Sequence, residues 1–95
     1  MQVLADNIKA NLKCNGGKIS PDFIDNLAEH AEKIYLHPTP NTRICVLRIY
    51  SGHEVVGVAQ VLDAKNDVEE IGNRVAFDNA KNELWKVCGS IAKVI

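Results

Sequence analysis

The sequence predicts an α+β fold: two N-terminal helices, an antiparallel β-hairpin and a long C-terminal helix packed on it, in one domain over residues 1–95. Three observations carry this expectation. Apolar residues recur at helical spacing in the first and last thirds of the chain. Between them, residues 42–50 and 54–62 are rich in β-branched and aromatic types and flank Ser51-Gly52, a tight-turn pair. In the last third, Gly72, Ala76 and Ala80 form a small-residue ridge at i, i+4 and i+8, and Gly57 and Ala59 thin one face of the second strand. Two thinned surfaces let backbones approach closely, so ridge and hairpin are expected to pack together.

Taken in order, residues 3–13 form a short amphipathic helix, with Leu4, Ile8 and Leu12 on one side and Lys9 and Lys13 outside. Asn15-Gly16-Gly17 stops it. This glycine pair lacks the Lys-Ser/Thr of a phosphate loop and follows no strand, so it reads as a turn. The second helix starts at Ser20-Pro21, a capping serine with proline at the first helical position. Its apolar stripe reads Ile24, Leu27, Ala31 and Ile34, flanked by Phe23 and Tyr35, until Leu36-His37-Pro38-Thr39-Pro40-Asn41 breaks it. If Tyr50 pairs with His53, Arg43 lies opposite Gln60; Cys45, Leu47, Ile49, Val56 and Val58 then share one hairpin face. Ile44, Val46, Val55, Gly57, Ala59 and Val61 share the other. Both faces need cover, because a two-stranded ribbon is not stable alone.

The long helix is expected to open at Asn66, an N-cap with Glu69 three residues on as a capping box. Val68, Ile71, Gly72, Val75 and Ala76 are expected on its buried face, joined by Asn79. Past Ala80 the apolar positions drift to Leu84, Val87 and Ile91, predicting a bend or end near Gly89 and a separate apolar tail.

Composition narrows the function class. An apolar fraction of 46% and a charged fraction of 24% are ordinary for a globular protein. A net charge of -1 gives no bulk signature of nucleic-acid binding. No apolar run is long enough to span a membrane. Asp6 and Asn7 interrupt any signal-peptide layout, and Cys14, Cys45 and Cys88, odd in number and far apart, read as reduced thiols; both point to a cytoplasmic protein.

No catalytic constellation stands out, and no enzymatic activity is expected. No serine or cysteine has a recognisable histidine partner, and His30, His37 and His53 lack metal-ligand spacing. Asp63, Asp67, Glu69 and Glu70 read as dipole compensation at a helix start, so neither a metal nor a cofactor is expected. The candidate ligand or partner contacts are Arg43, Arg48 and His53 on the hairpin, Asn66, Asn79 and Trp85. The arginines suit an anion. Asn79 reads as an amide bonding the hairpin backbone or a neighbouring chain. Trp85 suits either an interface or the core.

Cys45-Val46-Leu47, Val55-Val56-Gly57, Asp63, Asn66, Glu70-Ile71-Gly72, Ala76, Asn79-Ala80, Leu84-Trp85 and Gly89 carry a resemblance. Their spacing is similar to the V-V-G-x-A, D-x-x-N-F-D-x-E-I-G, A-x-x-N-A and L-W-x-x-x-G pattern of a small bacteriophage family named after gene products 49 and 66. The resemblance covers residues 42–89, with departures at Asp67, Val68 and Ser90. It implies a phage gene expressed in a bacterial host cytoplasm, and it implies no particular activity. The expected function is that of an accessory protein acting by non-enzymatic binding. It would counter host defence by sequestering a small anionic, nucleotide-like ligand. The alternatives are a modulator covering a host protein surface and, more weakly, a metal-dependent enzyme. The apolar hairpin faces and open edges predict a homodimer or higher homo-oligomer.

Overall fold

A computed structural model of the chain describes residues 2–60 and 68–94. Its elements are α1 (Gln2–Cys14), α2 (Pro21–His30), β1 (Glu32–Thr39), β2 (Thr42–Arg48), β3 (Glu54–Gln60) and α3 (Glu69–Ala92). The strands form one antiparallel sheet in the order β1-β2-β3. The fold is α+β, with two N-terminal helices, a hairpin and a long C-terminal helix, and it adds a third strand.

That strand takes over the last few residues of the helix expected through Ile34. Ser20 begins α2 as its sequence indicates, accepting the Phe23 N–H at 3.2 Å. The helix then stops at His30, and Ala31 is already extended, at ψ 151. Two carbonyls at this end are taken by one side chain: Lys33 Nζ donates to Glu29 O at 2.6 Å and to Ala31 O at 3.3 Å. Ile34, Tyr35 and Leu36 follow in β1, where branched and aromatic side chains suit a pleated surface. A turn at Pro40-Asn41 returns the chain to β2.

The hairpin register also differs from the expected one, by one residue. Thr42 pairs with Gln60 and Arg43 with Ala59. The reason is loop length. Ile49 N–H donates to His53 O at 3.0 Å, closing a three-residue loop whose last member, Gly52, sits at φ 87. A turn followed by a left-handed residue is a standard three-residue connection and favours glycine there. A one-residue slip moves every side chain of a strand to the other face. Val55, Gly57 and Ala59 therefore lie inside with Cys45 and Leu47, and Val56 and Val58 lie outside with Ile44 and Val46.

The small-residue ridge meets β3 as expected. A Cβ on Gly57 would collide with Ala76 O and Ala80 N and would lie 2.8 Å from Ala80 Cα. Backbone meets backbone there, and no side chain fits between. Ile71 and Val75, expected on the buried face, instead flank the ridge and stay exposed, Ile71 at 63%. The buried line of α3 runs Gly72, Ala76, Ala80, Leu84, Cys88. Steps of four residues turn that line by about 40° each around the axis. Its first part faces the sheet, and its continuation joins a core with Leu4 and Ile8 of α1 and Ile24 and Leu27 of α2.

Two expectations for α3 are corrected. The helix starts at Glu69 with Val68 as N-cap, making no side-chain cap bond, so the cap falls two residues beyond the expected Asn66. Asn66 itself lies outside the described residues. At its other end the helix runs through Gly89 to Ala92, and among the described residues no separate tail begins at Ile91, because Cys88 is buried and Ile91 and Ala92 pack on the same core. The molecule measures 48 × 23 × 20 Å, elongated along one axis.

Candidate functional site

Alternation along the strands gives the sheet two apolar faces, and α3 covers one. Across the outer face the register lines up four rows. The first is Glu32, Arg48 and Glu54; the second Ile34, Val46 and Val56; the third Leu36, Ile44 and Val58; the fourth Thr39, Thr42 and Gln60. The six side chains of the middle rows are all aliphatic. Leu36 is 48% exposed, Val56 49% and Val58 43%, while Ile34, Ile44 and Val46 are half-buried. An antiparallel sheet with one solvated face ordinarily alternates apolar-in with polar-out. Here the outward positions of the two middle rows are as apolar as the inward ones.

The first row closes one end of this patch. Arg48 bridges its neighbours, Nη1 to Glu32 at 3.0 Å and Nη2 to Glu54 at 2.9 Å, with Nε also donating to Glu54 at 2.9 Å. The hydrogen bond to Glu54, then the charges of both glutamates, raise the affinity of the guanidinium for its proton. The sheet edges are restricted too. β1 carries Pro38, which has no N–H, and a register irregularity between Leu36 and Thr39. On β3, Asn79 Nδ2 donates to Val58 O at 2.8 Å and occupies an acceptor of the edge strand.

The residues singled out in the sequence do not converge. Arg43 is buried on the inner face opposite Ala59, whereas Arg48 stands on the outer face at the other end of the strand. His53 is half-buried beside the turn, its carbonyl holding Ile49. Asn79 bonds the hairpin backbone from an exposed position. Trp85 is half-buried and packs on the core. None of them lines either of two hollows in the surface. One, of about 410 Å³, lies between Asn7, Phe23, His30 and Tyr50; the other, of about 420 Å³, lies between Lys33, Tyr35, Arg74 and Phe77. Lys33 and Lys81 each stand 5.9 Å from the Phe77 ring centre.

The thiols are graded by burial. Cys14 is exposed, and Cys45 and Cys88 are fully buried. Burial pushes both buried thiols up, Cys88 to about 11, which keeps them neutral and unreactive at pH 7. Among the described residues, no group of three or more His, Cys, Asp or Glu could hold a metal ion. The segment containing Asp63 and Asp67 lies outside them. Among the same residues, no helix is long and apolar enough to cross a membrane.

Sequence reasoning missed Ile34 and Leu36 as members of the patch and divided its other four residues between two faces. The signal for the missed strand was the β-rich run Ile34-Tyr35-Leu36 ahead of a Pro-x-Pro turn.

Fold and surface together define a class: a small α+β protein whose helices cover one side of a three-stranded sheet and leave an apolar face outside. Residues 19–94 match the phage protein (N4 Gp49/phage Sf6 gene 66) family. That match spans most of the chain, and the chain belongs to this family. No curated protein and no solved structure matches it.

Proposed function

We propose that this phage-family protein acts in the host cytoplasm by non-enzymatic binding, through the outer face of its sheet. The observation that supports this reading is the pair of adjoining aliphatic rows, Ile34-Val46-Val56 and Leu36-Ile44-Val58, standing in solvent. The largest contiguous apolar patch on a protein surface is often its functional one, and a polar rim around such a patch is the usual build of a protein interface.

Covering a protein surface, as a modulator of host machinery, is the mode this geometry favours. Sequestering a nucleotide-like anion to counter host defence needs cations gathered on one surface. Arg43 and Arg48 face opposite sides of the sheet, and Arg48 lies between two carboxylates. At the hollow beside Phe77, Arg74 pairs with Asp78, Lys81 with Asp25, and Glu29 and Glu70 share the lining with Lys33.

Thermal melts separate the readings. The expected result is an unchanged melting temperature with a panel of nucleotides and with divalent cations. A rise of several degrees with a nucleotide would overturn the protein-contact mode in favour of ligand sequestration. A comparable rise with a divalent cation would favour a metal-dependent enzyme.

A further inference from the structure

We infer that the outer face is occupied by a second copy of this chain, the two sheets stacking about a twofold axis that runs across the strands. This rests on the reading of that face as a protein-binding surface: a second copy covers it in the free protein and gives way to a host partner on the same face.

A twofold interface must be complementary to itself. Read along the strands, the rows run polar, apolar, apolar, polar. Rotation about an axis crossing the strands midway between the second and third rows exchanges those two rows. Ile34 then meets the partner's Leu36, Val46 the partner's Ile44, and Val56 the partner's Val58. The same rotation lays the Glu32-Arg48-Glu54 row over the partner's Thr42 and Gln60, so carboxylates and a guanidinium meet neutral hydrogen-bonding groups.

The rival axis, parallel to the strands, would stack Arg48 on the partner's Arg48 and Glu32 on the partner's Glu54. Like charges directly opposed are disfavoured, and the pattern selects the first axis. Edge-to-edge pairing is the other route to a dimer. Pro38 and the adjoining irregularity interrupt one edge, and Asn79 occupies the Val58 carbonyl on the other.

Size sets the strength. Seven residues by three strands cover about 24 Å by 14 Å. A footprint of about 340 Å² per partner falls short of the ~800 Å² per partner of a standard interface, so a weak, transient dimer is expected, dissociating in the high micromolar range.

The test is sedimentation equilibrium from low to high micromolar concentration on the wild type, Val46→Glu and Val58→Glu, each checked for fold by circular dichroism. The expected result is a wild-type dimer and two folded, monomeric variants. A wild type that stays monomeric throughout overturns the second-copy occupant while leaving the face open to a different protein. A dimer that survives both substitutions also overturns this inference, since association then lies elsewhere, and leaves the outer face open to a different protein. In a mixed-isotope dimer, methyl contacts from Val56 to the partner's Val58 are expected; contacts from Val46 to the partner's Val46 would overturn the axis.

Discussion

The two faces of the sheet are made of alternate residues of the same strands, yet they meet different fates. Inside, Cys45, Leu47, Val55, Gly57 and Ala59 are buried, and one of them has lost its side chain altogether so that a helix backbone can sit against it. Outside, Val46, Val56 and Val58 are larger on average than the residues they alternate with, and nothing among the described residues covers them in the same way. The difference shows that hydrophobicity alone does not decide which face becomes the core. Shape does: the face that accepts α3 is the thinned one, where Gly57 meets the Ala76-Ala80 backbone. The bulkier face remains available for another body.

The largest expected effect comes from filling that thinned contact. Gly57→Val places a branched side chain against helix backbone that cannot rotate away. A loss of about 3 kcal/mol is expected, at the upper end for overpacking, read as a lower urea midpoint. An unchanged midpoint would mean that α3 does not lie on β3 as described.

The next effect is a pH dependence of the core beneath the inner face. Cys88 is held neutral up to about 11, whereas the same thiol in the unfolded chain ionises near 9.0. The folded state therefore binds more protons in this interval. Stability from this group is complete below pH 9 and is lost as pH rises through 11, by up to about 1.4 kcal/mol per pH unit. Cys45 adds a loss of the same sign. Urea titrations in this range should show a shallower slope for Cys88→Ala than for the wild type. The same grading predicts one reactive thiol, Cys14, in the native protein and three after denaturation, counted with a thiol reagent.

A smaller effect is expected where helix and sheet edge meet outside the core. Asn79→Ala removes a single bond to Val58 O from an exposed site. Water can replace the lost donor, so a cost of about 1 kcal/mol or less is expected by urea denaturation. A loss several times larger would show that the β3 edge depends on this amide for its order.

Much of this arrangement was legible in the sequence. The ridge at Gly72, Ala76 and Ala80 and its partner Gly57 could be read because close backbone approach demands small residues at fixed spacing. Two features were not legible, for local reasons. Ile24, Leu27, Ala31 and Ile34 satisfy helical spacing, and that period hides the capping of Glu29 and Ala31 carbonyls by Lys33, which ends α2. Ser51-Gly52 fits a two-residue loop as well as a three-residue one, and the choice reverses the faces of β3. The open patch depends on both features, so it emerged only when strand and register were seen together. Side-chain chemistry without register does not reveal that Arg43 and Arg48 face apart.

The most direct test of the two-face account compares neighbours one residue apart on β3. Val55 is 5% exposed, opposite fully buried Leu47, and Val56 is 49% exposed, opposite Val46. Val55→Glu and Val56→Glu would be measured side by side by urea denaturation and by sedimentation. Val55→Glu is expected to lose about 3 kcal/mol or more, because it places an unpaired carboxylate in the core. Val56→Glu is expected to keep the fold and lose self-association. The reverse assignment, with Val55→Glu harmless and Val56→Glu unfolding the chain, would contradict the register and the account built on it.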